Sequence, residues 1–177
     1  MYKKILVPLD GSELAECTLN HVRAIAAGCQ VPEVVLLMVM EPIPSQVYAE
    51  VPEDTIGEAE KRNRTGAEDY LSKLAHDLKK DGIATRSVLV LGRAADEILD
   101  YVNKNQVDLI VMSTHGRSGI SRWVWGSVAD RVLHHSRVPV WQSHRLAVEV
   151  ASHMTGEEMV GNKVRMPYCV PVYAACW

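Results

Sequence analysis

The chain has 177 residues, 47% of them hydrophobic and 23% charged, with a formal net charge of −3. That length suits one main domain with a sizeable core. The mild acidity excludes a global electrostatic drive toward nucleic acid or an anionic membrane.

In chain order, residues 3–9 (KKILVPL) form a short apolar run that reads as a first strand. Asp10-Gly11-Ser12 then turns the chain into a helix whose apolar residues, Leu14 through Ala26, recur at helical spacing and stop at Gly28. Residues 33–40 (EVVLLMVM) are almost continuously apolar, as expected of a strand buried on both faces of a parallel sheet. Pro42, Pro44 and Pro52 mark a long irregular loop. A charged helix follows over about 54–81, with Leu71, Leu74, Ala75 and Leu78 as its buried stripe and Gly82 as its stop. Residues 83–91 form a third strand, the helix after Gly92-Arg93 runs to about Asn105, and 107–112 form a fourth strand. A helix over 126–136 and a short strand at 138–141 complete the alternation.

Strands separated by helical crossovers imply a parallel sheet with helices on both faces. The longest apolar run, VVLLMVM at 34–40, is too short for a bilayer. The N-terminus lacks the apolar core of a signal peptide. The four cysteines at 17, 29, 169 and 176 include no CxxC pair and read as reduced thiols of a cytoplasmic protein.

In such sheets ligands gather beyond the carboxyl ends of the strands, where the strand order reverses. Three ends carry candidates. Asp10 either accepts hydrogen bonds from a ribose or caps the first helix. The backbone of Val39 and Met40 either meets the edge of a base or belongs to the core. The stretch STHGRSGISRWVWGS (113–127) leads into a helix whose first amides suit an anion. The GxxxxGK[ST] and GxGxxG phosphate motifs are both absent.

The segment STHGRSGISRWVWGSVADRVLHHSRVPV, together with KKILVPLDGSELA, resembles the universal stress protein family over residues 1 to about 141. Nucleotide-binding members carry Gly-x2-Gly-x9-Gly-[Ser/Thr], and Gly116, nine residues and Gly126-Ser127 fit that spacing. Ser113 stands where the first glycine is expected; serine there costs about 1–2 kcal/mol only if the backbone is left-handed. The resemblance implies a Rossmann-like α/β fold of the adenine nucleotide alpha hydrolase type, a five-stranded parallel sheet in order 3-2-1-4-5.

It also implies ATP, with Mg2+ or Mn2+ on its phosphates and no metal site built from side chains. By position, Pro8, Leu9 and Asp10 face ribose and base, and Val39 meets adenine. Met112, Ser113, His115 and Gly116 line the ribose and phosphates, while Gly126, Ser127, Val128 and Ala129 supply amides and a hydroxyl. Arg117 joins them on charge grounds. The implied function is an ATP-binding stress-response regulator that forms a homodimer and acts on further protein partners, without catalytic residues. The alternatives are a weak ATPase or self-phosphorylating protein, and an interaction module that has lost its nucleotide.

Residues 142–177 read as an appended tail outside the family pattern, with VPVY as a possible replacement edge strand. His134 and His135 read as surface residues, since helical neighbours do not share a face. Trp123 and Trp125 read as packing residues beside the loop.

Overall fold

A computed structural model describes residues 2–44, 46, 48, 51–113 and 126–143. The elements in chain order are β1 (Lys4–Leu9), α1 (Glu13–Glu16), α2 (Thr18–Cys29), β2 (Glu33–Met40), α3 (Glu53–Lys80), β3 (Thr85–Leu91), α4 (Ala94–Lys104), β4 (Leu109–Ser113), α5 (Ser127–His135) and β5 (Val140–Ser143). The strands make one sheet in the order β3-β2-β1-β4-β5, and every pairing is parallel. This is the expected α/β architecture.

Alternation along each strand sends successive side chains to opposite faces. Ile5, Val7, Val34, Leu36 and Val111 pack under α2 and α3, against Leu19, Val22, Leu71 and Leu78. Leu6, Val35, Leu37, Ile110 and Val140 pack under α4 and α5, against Ile98, Val102, Ala129 and Val132. Ile5, Leu6, Val7, Leu36 and Ile110 are wholly buried, each contributing about 1.5–3 kcal/mol relative to an exposed position. Among the described residues, no helix is long and apolar enough to cross a membrane.

Three local features depart from the sequence expectations. The first helical pattern is two helices, α1 and α2, meeting at Cys17. The buried Thr18 hydroxyl donates to the Ala15 carbonyl at 2.6 Å, taking an acceptor that a continuous helix offers to a backbone amide. Gly28 does not end α2, which runs to Cys29. Gln30 caps it in the left-handed region at φ 50°, and the Val31 amide closes back on the Ala26 carbonyl at 3.0 Å.

The last strand lies at Val140–Ser143, two residues beyond its expected position. Gln142 and Ser143, read as the end of the strand pattern, instead pair with Met112 and Ser113. Gly82, at φ 78°, does follow α3 as its stop. Cys17 and Cys29 are both free.

Candidate functional site

β1 stands at the point where the chain order reverses, with β2 on one side and β4 on the other. The two sides differ. β1 pairs with β2 over its whole length, from Lys4↔Glu33 to Leu9↔Met38. Its pairing with β4 stops at Leu6↔Ile110.

Pro8 supplies the reason. The Lys4 carbonyl accepts from the Asp108 amide at 2.9 Å, so Lys4, Leu6 and Pro8 turn their backbone groups toward β4 by alternation. On β4, the Ile110 amide is turned to Pro139 beside β5, which leaves Val111 facing β1. The next rung would run from residue 8 to the Val111 carbonyl, and proline has no N–H to give.

At the amino end the same strands are clamped. Asp108 Oδ2 accepts from the Lys3 and Lys4 amides at 2.7 and 2.8 Å. The pair is therefore held at one end and unladdered at the other, the carboxyl end, where open α/β sheets take ligands in a crevice at the switch point.

Asp10 directly follows the carboxyl end of β1. Its Oδ1 accepts from the Ser12 amide at 3.0 Å and from the Ser12 hydroxyl at 2.6 Å. Ser12 Oγ in turn accepts from the Ala15 amide at 3.2 Å and caps α1. The cap is thus Ser12, while Asp10 fixes the orientation of that cap. Gly11, at φ 82°, provides the left-handed turn between them, a conformation costly for a residue with a β-carbon.

Val39 offers backbone. The Gly92 amide donates to the Met40 carbonyl at 2.9 Å, so Met40 faces β3 and Val39 faces β1. The β1 ladder ends one residue earlier, at Leu9↔Met38. The Leu9↔Met38 pair takes the Val39 amide to the Leu9 carbonyl in the parallel pattern, so Val39 keeps its carbonyl beyond the ladder, whereas Met40 spends its carbonyl on Gly92. The Val39 side chain packs against the core under α4 and α5.

Ser113 is the last residue of β4, opposite Ser143. It is not among the residues with positive φ. The serine in the glycine position therefore carries no left-handed strain. Met112 is only 5% exposed, and its side chain belongs to the core, leaving only its backbone to line a site. Leu9, at 4% exposed, is likewise a core residue.

On the β4 side the next described element is α5. Gly126 is its N-cap, extended at φ −60° and ψ 137°, and as a glycine it offers no side chain to cap the helix. Its carbonyl accepts from the Asp130 amide at 2.9 Å. The first amides of a helix have no intrahelical acceptor and carry the positive end of its dipole. Ser127 is exposed, Val128 half-buried and Ala129 packed into the core. His115, Gly116 and Arg117 lie outside the described residues, as do Trp123, Trp125 and the tail from residue 144.

His134 and His135 turn outward and bond their own helix, with Nδ1 2.8 Å from the Asp130 carbonyl and 2.9 Å from the Arg131 carbonyl, respectively. Among the described residues no three metal-ligating side chains gather.

The match to the universal stress protein family covers residues 1–142. This chain belongs to that family. The universal stress protein MJ0531 of Methanocaldococcus jannaschii is 33% identical over 141 residues, 79% of this chain and 81% of its own length. The solved structure of MJ0577, a universal stress protein of the same organism, superposes with a TM-score of 0.71 at 31% identity. It covers 80% of this chain and 95% of the other. A universal stress protein solved in complex with cAMP shares the fold at 20% identity, with a TM-score of 0.61 and coverage of 81% and 97%.

Sequence reasoning missed the part played by Pro8 in the backbone. The signal was present, since a proline inside an otherwise apolar strand marks a broken rung.

Proposed function

We propose that the chain is an ATP-binding regulatory protein whose nucleotide lies in the crevice between the carboxyl ends of β1 and β4. The observation that carries this reading is the β1–β4 ladder, stopped at Leu6↔Ile110 where Pro8 has no amide to give, together with an α5 that begins at a glycine N-cap offering no side chain to its first amides. Adenine meets the backbone of Val39, ribose meets Asp10, and the phosphates meet the amides of Ser127, Val128 and Ala129. The Ser127 hydroxyl and Ser113 stand beside the phosphate chain, and His115, Gly116 and Arg117 are assigned to the ribose and phosphates with them.

The residues fit the group in kind. A base amine can donate to a backbone carbonyl such as that of Val39, a ribose hydroxyl can donate to a carboxylate, and a phosphate chain can accept from amides at a helix start. That this fold accommodates adenine nucleotides is supported by the cAMP complex of its structural neighbour. Each helix-end contact contributes about 0.3–1 kcal/mol, and micromolar binding needs about 8 kcal/mol. Base, ribose and phosphate contacts must therefore act together.

A divalent cation, Mg2+ or Mn2+, is held through the phosphates. Nucleotide occupancy acts as a signal by favouring one conformation, or one protein partner, over another. The same reading places the protein in the cytoplasm as a homodimer with further protein partners.

Hydrolysis is the weaker reading. Phosphoryl transfer requires a positioned base and an electrostatic clamp, and the binding reading gives Asp10 to the ribose rather than to the end of the phosphate chain. Isothermal titration with Mg-ATP tests the proposal: saturable binding in the micromolar range supports it, and no heat at millimolar nucleotide removes it.

A further inference from the structure

α4 and α5 share one core, with Ile98 and Val102 packing together with Ala129 and Val132. Each helix lies in a crossover between parallel strands, so both run back from the carboxyl ends of the sheet. One ion pair joins them: Arg131 Nη2 lies 2.6 Å from Asp96 Oδ1. Among the described residues no other ion pair reaches α5 from outside it.

Asp96 stands in the first turn of α4. Side chains on a helix tilt back toward its amino end. Arg131, four residues after Ser127, therefore carries its guanidinium over the first turn of α5. The pair ties two helix starts together at the carboxyl side of the sheet.

The two helices differ in how firmly they are held. α5 has nine residues, begins at a glycine and buries only Ala129 and Val132. The corner before α4 is fixed, since the Gly92 amide donates to the Met40 carbonyl at 2.9 Å. Glu97 also fills the space that a β-carbon at Gly92 would take. α4 is thus the anchor and α5 the element being aimed.

We propose that Asp96 is a positioning residue for nucleotide: through Arg131 it sets the angle at which the first amides of α5 meet the phosphates. This inference rests on the nucleotide reading above. Hydrogen bonds weaken steeply as they bend, so a small swing of α5 loosens the phosphate chain and leaves the base contact at Val39 in place.

The charge of Asp96 gives the test its sign. A carboxylate acting on the phosphates through its charge alone repels them, so Asp96→Asn would then tighten ATP binding. Positioning requires the opposite. With side chains 52% and 42% exposed, the pair has the strength of a surface ion pair, and the expected loss is about threefold.

Calorimetric titration of Mg-ATP and of adenosine into wild-type, Asp96→Asn and Asp96→Glu proteins measures it, with unfolding midpoints checking the folds. ATP is expected to bind Asp96→Asn more weakly, and Asp96→Glu, which keeps the pair, as it binds wild type. Adenosine, which has no phosphates, is expected to bind all three alike. Unchanged or tighter ATP binding in folded Asp96→Asn, an equal loss for adenosine, or no recovery in Asp96→Glu overturns the inference and leaves the nucleotide reading standing. Wild-type protein that gives no heat with millimolar Mg-ATP removes both.

Discussion

The Ser12 hydroxyl donates to Asp10 Oδ1 at 2.6 Å while accepting from the Ala15 amide at 3.2 Å. One serine therefore joins the carboxylate after β1 to the first helix turn, and the two substitutions separate by readout. Ser12→Ala removes the cap and lowers stability by about 1 kcal/mol, seen in thermal or denaturant unfolding. Asp10→Ala keeps the Ser12 cap. Its expected effect is a loss of ATP affinity of about tenfold, or about 1.4 kcal/mol, measured by calorimetry.

Pro8→Ala restores a donor opposite the Val111 carbonyl. The new hydrogen bond adds about 0.5–1.5 kcal/mol, and the freer unfolded chain removes about 0.4–1 kcal/mol. Stability is therefore nearly unchanged and is the wrong readout. The expected signs are slow hydrogen exchange at the new residue-8 amide and weaker ATP binding, because the β1–β4 pair zips one rung further. A rapidly exchanging amide at residue 8 contradicts this account of the crevice.

Ser113→Gly makes the motif conform to its usual first glycine. Since Ser113 is an extended strand residue outside the positive-φ set, the change relieves no strain. It is expected to cost roughly 0.5–1 kcal/mol of stability through added backbone freedom. ATP affinity should move less than twofold; a gain beyond tenfold in calorimetry shows that the serine obstructs the site.

The alternation of strands and helices was legible because parallel strands buried on both faces read as continuous apolar runs, EVVLLMVM above all. Strand order was not contained in that pattern and came with the resemblance of 113–140. Element ends were less legible. A side-chain hydroxyl, Thr18, breaks the first helix, and a non-glycine, Gln30, takes the left-handed cap. Gln142 and Ser143 look polar enough to end a strand, yet each pairs with a residue of β4. At the site, residue types pointed to Asp10 and to the start of α5. They could not separate Asp10 from the Ser12 cap, or reveal that Leu9 and Met112 turn their side chains into the core. Those distinctions depend on strand phase, which the register fixes.

The central claim is a place: nucleotide in the crevice between β1 and β4, against the start of α5. Backbone amide resonances followed during titration with Mg-ATP test it most directly. Saturable shifts concentrated at Asp10, Val39, Gly126, Ser127 and Val128 are expected, with β3 unmoved. An unperturbed spectrum at millimolar Mg-ATP, or shifts confined to Arg86–Leu91, would contradict it.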